Sequence, residues 1–162
     1  MAFLIVAGGL LAVCFALVFV ARRRYGVMAL ALAAGAMMST LWVGDLTPLV
    51  AKVGVVSTQP PLEAIVAAGL TLIPALLVLV SGPAYGKGKG ARLLGGIFFG
   101  ALAVLLLLEP IQSGVVIDSM SRPIVEALVN YKPVGVTFLL VLAVADVWAT
   151  RTAKPLPPEG KH

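Results

Sequence analysis

The chain has 162 residues, 60% of them apolar and 12% charged, with a mean hydropathy of +1.08 and a net charge of +5. Ordinary soluble domains are about 25% charged, so a water-soluble globule of this length is excluded: it could not bury that much apolar surface. The basic balance (pI near 9.7) does not indicate nucleic-acid binding, because the cations flank long apolar runs and read as topology signals and contacts to anionic lipid headgroups.

Five runs are predicted to span a bilayer, at residues 3–21, 26–44, 62–81, 93–108 and 133–150. A bilayer core of about 30 Å needs roughly 17–25 helical residues. Backbone groups in lipid must be satisfied within the segment, and the alternation of barrel strands is absent, so helices are expected. The expected fold is an all-α polytopic membrane bundle of five spans in one domain, residues 1–150.

The first run has no basic n-region, since Arg22, Arg23 and Arg24 follow it, so it is expected to be a span and not a signal peptide. The four-residue turn 22–25 predicts a tight antiparallel hairpin of spans 1 and 2. Residues 45–61 are expected as a loop whose apolar stretch 49–56 lies along the interface before Pro60-Pro61. Pro74 in span 3 predicts a kink. The stretch Ser81-Gly82-Pro83-Ala84-Tyr85-Gly86-Lys87-Gly88-Lys89-Gly90 is expected as a flexible basic turn. It is no phosphate loop, because neither lysine is followed by Ser or Thr.

Beyond the fourth run, residues 109–132 are too polar to span. Ser121-Arg122-Pro123 reads as a helix start, with Ser at the cap and Pro in the first turn. Ile124, Leu128 and Tyr131 recur at helical spacing, which predicts an amphipathic helix over residues 121–131, lying on the outer membrane surface or folded back against the bundle and ended by Lys132-Pro133. The tail, residues 151–162, carries three prolines and is expected to be disordered and cytoplasmic.

Nine of the twelve Lys and Arg residues fall on one side of these spans and three on the other, giving net charges of +7 and −2. Cytoplasmic loops retain Lys and Arg, so the N-terminus is expected outside and the C-terminus inside. Trp42, Trp148, Tyr25 and Tyr131 sit at run ends, as an aromatic belt predicts. Small residues at four-residue spacing offer close-packing faces: Gly8, Ala12 and Ala16; Ala31, Gly35 and Ser39; and above all Gly96 and Gly100.

Reactive groups are few. The lone histidine is His162 in the tail and the lone cysteine is Cys14 in mid-span, so no catalytic residue, metal site or cofactor site is expected from this chain. Asp146 is the ionisable residue inside a run, and its expected partner is Arg151 or the 81–90 turn. Glu63 and Glu109 stand at the outer ends of spans 3 and 4 and could form a paired acidic site.

The opening span, the turn with Arg24-x-Gly26, the Gly/Ala-rich second span and the basic glycine loop resemble the colicin V production family of small bacterial inner-membrane proteins. So does Arg92-Leu93-Leu94-Gly95-Gly96-Ile97-Phe98-Phe99-Gly100, which is similar to that family's R-x-L-G-x-x-F-G entry to a fourth span. The resemblance covers roughly residues 3–130. It departs in one extra residue between Arg92 and Gly96, in Ala91 where an acidic residue is expected, and in Ala103-Val104 in place of a second Arg-Gly. It implies an accessory role in export or envelope homeostasis, without catalysis. The expected function is therefore a non-enzymatic scaffold that presents Ser121, Arg122, Ile124, Leu128 and Tyr131 to protein partners or to a second copy. The competing expectations are a small channel or transporter and a small subunit of a respiratory or photosynthetic complex.

Overall fold

The structure is a computed structural model that describes residues 2–21, 25–54, 60–81, 89–115, 117–119 and 121–151. Among these the regular elements are all helical: α1 (Ala2–Ala21), α2 (Tyr25–Lys52), α3 (Leu62–Ser81), α4 (Lys89–Leu106), α5 (Leu108–Gly114) and α6 (Arg122–Arg151). The basic turn 22–24, most of the glycine loop and the tail from 152 onward lie outside the described residues. Four helices are long and apolar enough to cross a membrane, and α4 with α5 makes a fifth if the bent pair is one span. Large apolar side chains cover the outside, among them Ile5, Val20, Leu41 and Val80. Such a surface suits a bilayer, where outward apolar groups meet lipid tails and helix contacts rest on packing.

Beyond the earlier start of α4, at Lys89 inside the expected 81–90 turn and four residues before Leu93, boundaries differ from the sequence reading in three places, each with a local cause. The second helix runs on through Pro48 to Lys52. Residues 49–52, expected at the interface, are thus its last turn. Its end is set by Gly54, at φ 91°, a left-handed conformation that costs glycine little. The fourth helix stops at Leu106, and α5 departs at 56°. Pro110 explains the break: it has no N–H for the Leu106 carbonyl, and its ring would clash with that carbonyl in a straight helix. The short α5 occupies a segment expected to be loop.

The third difference is the largest. The surface helix and the fifth span are one continuous helix, α6, of 30 residues with Pro133 inside it. At 1.5 Å per residue α6 is about 45 Å long, so its first third extends past a core of about 30 Å. The inward face also differs from the expected one. Val125 and Leu128 pack onto Phe3, Leu107, Leu108 and Ile111, while Ile124 and Tyr131 are exposed. Val125 joins Leu128 in place of Ile124 and Tyr131, which turns the buried stripe by less than one residue, under about 100° of helix.

The packing order is not the chain order. α1 lies along α4 and α2 along α3, while α6 packs on α2 and α4. The expected hairpin of the first two spans does not form a packed pair, despite the four-residue turn. One core joins all five long helices, through Cys14 and Val18, Met28 and Leu32, Ala75, Phe99 and Leu102, and Leu139 and Ala143.

Backbone approach explains this order. A Cβ on Gly35 would collide with the Thr71 carbonyl oxygen and lie 2.9 Å from that of Leu70. The Leu70 carbonyl is the one deprived of its helical donor by Pro74, so α2 presses its glycine onto the backbone that the proline freed. α3 itself continues unbroken through Pro74. Gly100 does the same for α4, where a Cβ would stand 3.1 Å from the Leu11 carbonyl oxygen of α1, while Gly96 makes room for the Phe15 ring. In contrast, nothing lies within 4 Å of a Cβ on Gly8, and Ala12 and Ala16 are exposed. The small-residue stripe of α1 therefore faces away from the bundle.

Candidate functional site

Two polar clusters lie at opposite ends of the bundle. At the basic end, the α2 N-terminus abuts α6. The first backbone N–H groups of a helix lack intrahelical acceptors, and one of them, Gly26 N–H, donates to the Asp146 carboxylate at 3.0 Å. Asp146 is thus a cap supplied across 120 residues, and its negative charge complements the helix dipole. Gly26 makes the contact possible, because a Cβ there would collide with the Ala143 carbonyl and stand 2.8 Å from Val147. Beside it the Tyr25 hydroxyl donates to the Leu139 carbonyl at 2.7 Å. Tyr25 is buried, with its ring tilted against Phe98 at 5.8 Å. It is a core residue here and not part of an aromatic belt, whereas Trp42, Trp148 and Tyr131 are exposed. The expected partner of Asp146, the Arg151 side chain, lies outside the described side chains.

At the other, acidic end a cavity of about 470 Å³ opens between α2, α3, α5 and α6. Its polar lining comes from Ser39 and Thr40, Glu63 and Thr71, Glu109 and Ser113, and Lys132. Glu63 and Glu109, expected as a pair, do line one space. The group that engages Glu109, however, is Lys132, whose ammonium donates to Oε1 at 2.5 Å. The lysine side chain is 25% exposed and the glutamate 79%, so the pair spans the wall and the mouth of the cavity. Glu63 to Thr71 is eight residues, about 12 Å of helix, which measures how far the polar lining descends. It stops where Gly35 meets Thr71, and below that point Leu32 and Ala75 are buried.

A third feature adjoins α6. A cleft of about 700 Å³ is lined by Gln112, Ile117, Arg122, Val125, Glu126 and Asn130, with Val129 beside them. The Gln112 amide nitrogen is buried there and meets no acceptor among the described residues. Arg122 and Glu126 form an exposed i,i+4 ion pair at 3.8 Å. Ser121 occupies the expected cap position, and its carbonyl accepts from Val125 N–H at 3.0 Å. Its hydroxyl, however, is fully buried with no partner among the described residues. Of the expected partner surface, then, Arg122, Ile124 and Tyr131 are exposed, Leu128 is half-buried and Ser121 is buried.

Among the described residues no group of three or more His, Cys, Asp or Glu side chains is placed to hold a metal ion. No family model, curated protein or solved structure matches the chain.

Sequence reasoning missed Lys132, Thr71 and Tyr25. Lys132 reads in the sequence as a topology charge and, with Pro133, as the end of the surface helix, because the residue before a proline is disfavoured in a helix; α6 instead runs through both. Thr71 and Tyr25 acquire their roles from contacts across the fold, and neither carries a local signature.

Proposed function

We propose that this chain is a non-enzymatic integral membrane protein that acts as a scaffold or accessory, resembling colicin V production proteins, in a bacterial inner membrane with its acidic end outside. The observation that carries the reading is the cleft between α5 and the projecting first third of α6. That helix is continuous with a span, so it holds its exposed residues at a fixed height and rotation. Arg122, Glu126 and Asn130 ring the same cleft and suit a polar peptide surface.

A photo-crosslinking residue at Glu126 or Asn130, introduced into the chain in native membranes, tests this. Adducts of defined mass from these positions, absent from a probe at lipid-facing Val144, are expected. A monomer without adducts from either position overturns the reading.

The polar cavity favours a second reading, a small transporter or channel. Such a path must be reachable from both ends. The cavity ends at the Gly35–Thr71 contact, with the packed core beneath it, so transport would require α2 and α3 to part. Uptake of small charged solutes into liposomes holding the purified chain distinguishes the two readings.

A further inference from the structure

The cavity at the acidic end has an apolar neighbour. A groove of about 390 Å³ runs between α1, α3 and α5, lined by Val6, Leu10, Ile65, Ala68, Leu72 and Ile111 among others. Ala64 and Pro110 line the cavity and the groove alike. Each space alone lies within the roughly 300–1,000 Å³ of small-ligand sites. The two spaces adjoin at Ala64 and Pro110, polar on one side of that wall and apolar on the other.

The charges select the polar part of the occupant. The cavity presents one ammonium, Lys132, and two carboxylates, Glu63 and Glu109, a net charge of −1. A purely anionic group is disfavoured by that balance, and a purely cationic one would face the lysine. A group carrying both signs fits. An ammonium has three donors, so Lys132 can hold Glu109 and a phosphate oxygen together. A primary ammonium on the ligand can donate charge-assisted hydrogen bonds to carboxylates, whereas a quaternary ammonium has no N–H. The apolar part must enter the groove from the lipid that surrounds the helices.

We propose that the cavity and groove together bind one zwitterionic phospholipid with a primary ammonium headgroup, of the phosphatidylethanolamine class. Its phosphate meets Lys132, its ammonium meets Glu63 and Glu109, and one acyl chain crosses the Ala64–Pro110 wall into the groove. This site is separate from the α5–α6 cleft, and occupancy of one does not depend on the other.

The full chain, purified and delipidated, is offered an equimolar mixture of phosphatidylethanolamine, phosphatidylcholine and phosphatidylglycerol with identical acyl chains, and bound lipid is read by native mass spectrometry. The loss of one charge-assisted hydrogen bond corresponds to roughly a tenfold weakening. Phosphatidylethanolamine is therefore expected to be retained at least roughly tenfold over phosphatidylcholine, a preference that Glu63→Gln reduces and that Glu63→Gln with Glu109→Gln abolishes. Glu63 is exposed, and a circular-dichroism melt matching the parent shows that the variant is folded. Ala68→Phe fills the groove and is expected to release the lipid while leaving the weak binding of water-soluble glycerophosphoethanolamine, followed by NMR, unchanged. Equal retention of the three lipids, or an unaltered preference in a folded Glu63→Gln chain, overturns the proposal. Retention unaffected by Ala68→Phe overturns the acyl-chain assignment and points to a free phosphoamine as the occupant.

Discussion

The two ends of the bundle handle a carboxylate in opposite ways. At the basic end Asp146 is drawn into a packed joint, where it accepts from Gly26 N–H at 3.0 Å beside the buried Tyr25. At the acidic end Glu109 stands 79% exposed over a cavity, held by a lysine. The difference follows from glycine placement in α2. Gly26 lets that helix touch the α6 backbone and Gly35 lets it touch the α3 backbone. Beyond Gly35, Ser39, Thr40 and Val43 face the cavity instead. Where backbones touch, polar groups act as structural caps. Where side chains keep the helices apart, the same residue types line a space that a ligand can enter.

The contrast can be broken by adding side chains at the joints. Gly35→Val is expected to have the largest effect, because its Cβ would strike the Thr71 carbonyl, a backbone atom that cannot turn aside. A loss of about 3 kcal/mol, at the upper end of the usual overpacking range, should appear as a lowered unfolding midpoint in mixed micelles. Gly26→Ala is expected to cost about 2 kcal/mol by the same mechanism against Ala143. In that variant the tyrosine fluorescence of the Tyr25 pocket should also change. Asp146→Ala removes the cap without adding bulk, and a loss of about 1 kcal/mol is expected from the usual value of such caps. Faster hydrogen exchange at Gly26, with α3 unaffected, would locate that loss.

At the open end the same kind of change should do little to the fold. Lys132→Gln breaks a pair whose glutamate is solvent-exposed, and such pairs contribute about 0–1 kcal/mol. Its melting temperature should stay close to that of the parent chain. A drop comparable to that of Gly26→Ala would show that the acidic end is as tightly joined as the basic one, and the contrast would fail. Gly69→Ala is the control for the glycine argument: nothing lies within 4 Å of its Cβ, so the substitution should be neutral or stabilise.

Much of the helical layout was legible in the sequence. The third run coincides with α3 from Leu62 to Ser81, and the first with α1 to within a residue. Lipid demands an unbroken helix about as long as the bilayer is thick, so an apolar run declares itself by length alone. The larger errors fall at prolines. Pro48 and Pro133 sit inside helices that were expected to stop near them, while Pro110 breaks one. A proline removes one hydrogen bond in each case, and whether the helix continues depends on what neighbouring elements supply at that point.

The candidate site was half legible. Glu63 and Glu109 stand out as charges at span ends, and Gly96 and Gly100 as a small-residue face. The sequence does not say which helix that face receives, because spacing carries no partner. It turned out to be α1, through Leu11 and Phe15. Lys132 reaches Glu109 across 23 residues and Asp146 reaches Gly26 across 120. Pairings at that separation leave no periodic trace in one chain.

By itself the sequence determined that the chain is helical and apolar enough for a membrane, where its apolar runs lie, and how poor it is in reactive groups. Those properties are sums and runs, set by transfer energies and helix length. Tertiary structure alone decided that α1 packs on α4 and α2 on α3, that the surface helix and last span are one, and that a polar cavity adjoins an apolar groove. These depend on which backbones approach closely enough to touch, and that is settled by glycines meeting carbonyls in three dimensions.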